Sequence, residues 1–139
     1  MAAGSVPPRS STAKLSKTET FRPLASIRPH KLREGVFARA INGNRLTLAV
    51  VDLEPNSSVP EHHHENEQLG FILQGSMTFT IGGEARVLHA GDTYEIPGNV
   101  PHDAVAGSDG CTAVDVFAPV RADWEKLERT DPFPPDWPG

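Results

Sequence analysis

The stretch VPEHHHENEQLGFILQGSMTFTIGGEARVLHAGDTYEIPGNVPHDAVA (59–106) decides how this chain reads. Short runs of Leu, Ile, Phe, Val and Thr are cut by Gly75, Gly82-Gly83, Gly91 and Pro97-Gly98. No part of it repeats the three-to-four-residue apolar spacing of a helix, so LGFIL (69–73), SMTFTI (76–81), ARVLH (85–89), DTYEI (92–96) and HDAVA (102–106) read as strands. Upstream lie GVFARAI (35–41) and RLTLAVVDL (45–53), separated by the turn signal Asn42-Gly43-Asn44. Downstream, TAVDVFAPV (112–120) follows the break Ser108-Asp109-Gly110. Eight short strands at this spacing predict an all-β chain, a sandwich or closed barrel of the jelly-roll kind.

Composition agrees. The chain has 139 residues, one domain's worth, with 12 Gly and 13 Pro, a share that favours turns over long helices. Its 13 Lys and Arg against 18 Asp and Glu give a net charge of −5, the wrong sign for a phosphate-backbone binder or for an anionic membrane surface. No apolar run approaches the roughly 20 residues of a membrane-spanning helix. The single cysteine, Cys111, excludes an intramolecular disulfide framework and fits a reducing, cytoplasmic setting; packing as a small buried hydrophobe is its expected role. Residues 1–20 are rich in Ser, Thr, Ala and Pro without an apolar pattern, and a disordered tail is expected there. The barrel is expected over 21–120. Over 121–139, a short helix in RADWEKLER (121–129), with Trp124 and Leu127 on one face, precedes a Pro-rich ending.

The chemistry is concentrated in two places. His62-His63-His64 is followed by Glu65, Glu67 and Gln68, and on an extended strand His62, His64 and Gln68 share one parity while His63 points away. Glu67 is the alternative oxygen donor if the strand bulges. His102 follows Pro97-Gly98-Asn99-Val100-Pro101 at the start of another strand. Three imidazoles and an amide oxygen suit a divalent transition metal, with Ni, Fe, Mn and Zn all acceptable.

Together these elements resemble the cupin superfamily, which implies a double-stranded β-helix barrel around a metal. The first cupin motif is kept as His62-x-His64, three residues, Gln68, six residues, Gly75; the second as Gly91, five residues, Pro97, then His102. There are departures. Asn56 stands where the first motif has its leading Gly, and Asn is a type that tolerates left-handed backbone. Asn99 and Ala106 replace the Gly and the trailing Asn of the second motif, and Gln68 replaces the usual Glu. A neutral amide in place of a carboxylate leaves more positive charge on the cation, which favours Lewis-acid chemistry and an anionic substrate.

In TAVDVFAPVR, Ala113, Asp115 and Phe117 share a face. Either that face lines the interior, placing a carboxyl where burial raises its pKa, or Val114 and Val116 point inward and Asp115 is solvated. Arg121 is either a clamp for a substrate carboxylate or a surface arginine paired with Asp123 or Glu125. Tyr94 shares parity with Ile96 and lines the cavity or packs.

The string 114–124, with 67–73 and Pro97-x-x-x-Pro101-His102, is similar to the KdgF family of small cupins. That resemblance implies a metal held by His62, His64, Gln68 and His102, with Asp115, Phe117 and Arg121 serving the reaction. The implied activity is conversion of 4,5-unsaturated uronates to linear keto sugars, with a small sugar acid as the partner molecule. Two rival readings stay open, an Fe(II)-dependent cupin dioxygenase and a non-catalytic ligand-binding barrel. Small cupins commonly pair, so a homodimer is expected, with 21–41 as a candidate contact.

Overall fold

Apolar and polar residues alternate along much of the chain between 36 and 118, and alternation with period two buries one face of most of the strands. The computed structural model describes residues 20–138. The tail expected over 1–20 therefore lies, but for its last residue, outside the described residues. Eight strands form among the described residues: β1 (His30–Arg33), β2 (Val36–Asn42), β3 (Thr47–Leu53), β4 (Ser58–His62), β5 (Glu67–Ile81), β6 (Glu84–His89), β7 (Thr93–Ile96) and β8 (His102–Ala118). The pairing runs β1-β2-β3-β8-β5-β6, with β4 added to β8 and β7 to β5, and every pairing is antiparallel.

Two long strands make the barrel. The second half of β8 (111–118) pairs with β3 on one side and with the first half of β5 on the other. Its first half (102–106) pairs with β4 and with the second half of β5. Each long strand thus passes from one layer to the other, bending where the register shifts between Gly75 and Met77. Gly75 and Gly110 both sit at φ +78° there, and a Cβ on Gly75 would stand 2.2 Å from the Gly110 carbonyl oxygen. Only glycine fits this crossing. The strands expected at 69–73 and 76–81 are therefore one strand, as are those at 102–106 and 112–120, because glycine lets the ladder bend without ending.

β1 and β4 were not expected. Both are edge strands with little alternation, and β4 carries Pro60, which lacks the N–H that an inner strand would have to donate. The expected C-terminal helix is a single 3-10 turn, Ala122–Lys126, which buries Trp124 against the barrel. The Pro-rich ending lies across the outer face. The Phe133 ring meets Phe37 edge-on at 5.2 Å, and its carbonyl accepts a hydrogen bond from Arg39. Arg39 also pairs with Asp52 at 3.1 Å beneath that segment. No helix among the described residues is long and apolar enough to cross a membrane.

The inner faces carry Val36, Leu53, Ile72, Met77, Phe79 and Ile96, and also Ala38, Ala40, Ala49, Ala104, Ala106 and Ala113. So many small side chains cannot fill the space between two layers about 10 Å apart. A cavity remains, of about 550 Å³ with the open space at its mouth included, and it is lined by polar as well as apolar groups. Cys111 is buried near this core, and burial pushes its thiol up to about 12.

Candidate metal centre

Three imidazoles converge from three different pieces of backbone, and two of them, His62 and His102, line the cavity. His62 ends β4 and stands directly across the ladder from His102, which begins β8; their ring centroids are 4.3 Å apart. His64 lies in the loop between β4 and β5, so strand parity is not what aims it. That loop is tied down instead. Its Asn66 side chain donates to the Pro119 carbonyl at 2.6 Å, and the Asn99 N–H donates to the His64 carbonyl at 2.7 Å. Asn56 and Asn99 take φ +63° and +64°. At Asn99, this left-handed turn presses Gly98 against the loop, where a Cβ would be 2.7 Å from the Glu65 oxygen.

One ring nitrogen from each of His62, His64 and His102 lies within 4.8 Å of the others. The Nδ1 atoms are committed elsewhere: to the Pro60 carbonyl at 2.9 Å, to that of Asn66 at 2.9 Å and to that of Val100 at 2.8 Å. Nδ1 therefore carries the proton in each ring, and the Nε2 lone pairs are left for the cluster. Burial lowers the pKa of His64, and brings that of His102 to about 4, so both rings are neutral near pH 7.

Gln68, the second residue of β5, is buried and joins the cluster, while Glu67 is exposed. Its Oε1 stands 3.1 Å from His64 Nε2, and its Nε2 donates to Asp115 Oδ1 at 3.0 Å. With the His64 proton on Nδ1, two acceptors face one another at 3.1 Å. Such a contact is repulsive unless a cation lies between, and adjacent ligands on one ion with bonds of about 2.1 Å stand at this separation. The donor set therefore fits a divalent metal. Imidazole nitrogen and amide oxygen are compatible with Ni, Fe, Mn or Zn.

Asp115 faces the cavity with Ala113 and Phe117, while Val114 and Val116 take the outer face. It forms no ion pair among the described residues. Burial pushes its carboxyl up to about 6, against the hydrogen bonds from Tyr94 and Gln68 and the charge of Arg121 that pull it down. The Tyr94 hydroxyl donates to the same Oδ1 at 2.6 Å. Burial, followed by the charge of Asp115, holds that hydroxyl well above its ordinary value. Oδ2 accepts no hydrogen bond among the described residues.

Arg121 follows β8. Its guanidinium lies 4.8 Å from the Phe117 ring centre and 4.4 Å from that of Trp124. The Nε and Nη2 edge is bound to both oxygens of Asp123, at 3.0 and 2.9 Å, and that pairing lowers the Asp123 pKa. The arginine does pair with Asp123, but it is buried rather than at the surface, and it lines the cavity. Nη1 carries no hydrogen bond among the described residues.

Sequence reasoning left Tyr94 open and overlooked Asn66 and Gly70. A glycine inside an apolar strand was the available signal for the last.

A family model described as Cupin domain matches residues 49–117. The chain is 35% identical over 65 residues to the pectin degradation protein KdgF of Dickeya dadantii (strain 3937), spanning 47% of this chain and 59% of that protein. It is 32% identical over 92 residues to the HTH-type transcriptional regulator PuuR of Escherichia coli (strain K12), spanning 62% and 50%. Among solved structures, KdgF from Halomonas sp. superposes with a TM-score of 0.70 at 26% identity, covering 76% of this chain and 98% of that one.

Proposed function

The chain carries a cupin domain over residues 49–117 and resembles the KdgF branch, and from that premise we propose that it is a metal-dependent isomerase acting on an unsaturated uronate or a related sugar acid. The observation that carries this reading is Asp115. It is a buried carboxyl with no ion pair among the described residues, hydrogen-bonded to Gln68, and it lines the cavity that also holds His62 and His102.

The metal ligands are His62, His64, Gln68 and His102. A divalent cation held there supplies a Lewis-acidic charge beside the substrate oxygens. Arg121 holds the substrate carboxylate through its Nη1 side, since Asp123 occupies the other edge. The Phe117 ring, next to both His64 and Arg121, forms the apolar wall against which the sugar ring rests.

For a 4,5-unsaturated uronate the net change is an isomerisation. The C1–O5 bond opens as the anomeric hydroxyl becomes a carbonyl, and the resulting enol becomes a ketone as C4 gains a proton. The proton lost from the anomeric oxygen thus balances the one gained by C4, and no redox change is required. Asp115 moves that proton. A carboxyl near pKa 6 both accepts and returns a proton close to neutrality, and its Oδ2 is the oxygen left free to do so.

Metal-loaded protein should consume an unsaturated uronate, followed by loss of absorbance of the conjugated double bond. Asp115→Asn should lower turnover by about 10²–10⁴-fold, the usual worth of a positioned proton-transfer group, with its metal content unchanged. Full activity in that variant would overturn the role. Oxygen uptake dependent on Fe(II) would shift the assignment to a dioxygenase, and tight binding of a sugar acid without turnover to a ligand-binding barrel.

A further inference from the structure

We propose that Tyr94 and Asp115, meeting across Gly70, form a latch that determines which end of the Gln68 amide faces the metal position. This rests on the reading of Gln68 as a ligand. The two ends of a carboxamide are nearly equal in size, and a half-turn about the last side-chain bond exchanges them. With Oε1 inward the group binds a cation. With Nε2 inward it presents two N–H groups and repels one. Something must choose.

The chooser is Asp115 Oδ1, which only accepts hydrogen bonds in the carboxylate form. At 3.0 Å from the far end of the amide, it tolerates Nε2 there and disfavours the oxygen. Oδ1 is in turn fixed by the Tyr94 hydroxyl at 2.6 Å, so Gln68 and Tyr94 converge on one oxygen.

The ladder shows that this meeting is built in. Gly70 on β5 stands opposite Tyr94 on β7 and opposite Asp115 on β8, so the Tyr94–Asp115 hydrogen bond crosses over it. A Cβ on residue 70 would lie 2.5 Å from Asp115 Oδ1 and 2.6 Å from both Cζ and Oη of Tyr94. Gly70 is not among the glycines with positive φ, so the backbone does not ask for glycine here. The space does. Gly70 is there to let the hydroxyl reach the carboxylate.

Tyr94 is a positioning residue in this scheme, acting on the metal through Asp115 and Gln68. The test is Ni(II) titration of the chelator-stripped full chain by calorimetry, in a cycle of Tyr94→Phe, Gln68→Ala and both together. Tyr94→Phe should weaken Ni(II) binding about tenfold, as loss of a group that orients a ligand does. In the Gln68→Ala background, with no amide to orient, the same change should alter affinity by less than about twofold. A merely structural role for Tyr94 would weaken both backgrounds equally, and that result overturns the latch.

If Tyr94→Phe does not fold, position 115 carries the test. Asp115→Asn keeps a carbonyl oxygen under the Tyr94 hydroxyl and should bind Ni(II) as the parent does, whereas Asp115→Ala should lose about tenfold. Equal affinity in those two variants overturns the proposal. A parent chain that binds no Ni(II), Mn(II), Fe(II) or Zn(II) sinks the ligand reading itself, an outcome distinct from a metal bound equally by every variant.

Discussion

Arg121 carries its structural contacts and its proposed substrate contact on one guanidinium. Its guanidinium lies close to two aromatic rings and is held on one edge by Asp123, so it is already oriented toward the cavity. Planarity makes that arrangement possible, because only a flat, forked cation can meet rings and a carboxylate at the same time. Lysine keeps the charge and loses the geometry. Arg121→Lys should raise KM for a uronate about tenfold or more with a smaller effect on kcat, measured by steady-state kinetics on the metal-loaded protein. Asp123 has a side chain 63% exposed, so its pairing alone contributes little to stability; orienting the arginine is its larger effect.

At the scale of elements, the bend in β5 and β8 holds the two layers together. Gly75 and Gly110 meet back to back, and any side chain at 75 would collide with backbone, which cannot move aside as a flexible side chain can. Gly75→Ala should therefore cost several kcal/mol, at least about 3 from the clash and the strained φ combined, read as a lowered midpoint in urea unfolding. Asn99 takes the same left-handed region without a clash of that kind, so Asn99→Gly should stay within about 1 kcal/mol of the parent. Asn56 and Asn99 explain how two motif positions usually held by glycine are satisfied. Asparagine is the non-glycine residue that best tolerates φ near +60°. The two edge strands escaped sequence reading because they are short and mostly polar, HKLR and SVPEH, with too few apolar residues to show a period.

For the whole molecule, the candidate metal centre joins β4, the 63–66 loop, β5 and β8, so ion binding should stabilise the entire barrel. Loading at 100 times Kd adds about 2.7 kcal/mol, and a chelator should lower Tm accordingly in a thermal melt. The metal-free chain also carries opposing pH dependences. His102, near 4 against an ordinary 6.5, and His64, also lowered, bind fewer protons when folded, so their contribution to stability falls as pH drops from 6.5 toward 4. Asp115, near 6 against 3.8, binds more protons when folded, so its contribution rises as pH drops from 6 toward 3.8. Asp115→Asn removes only the second effect. The metal-free variant should lose stability between pH 6 and 4 more steeply than the parent, measured as Tm against pH. The residues alone determined the all-β class, the three histidines with Gln68, and the shared face of Asp115 and Phe117, because alternation and motif spacing are local properties of a chain. Tertiary structure decided the rest: that the eight expected strands merge into six and two unexpected edge strands join them, that His64 is aimed by a loop, and that Tyr94 reaches Asp115 over Gly70. Those facts depend on distances between strands far apart in sequence, and no local pattern records how close two backbones come once the barrel has closed.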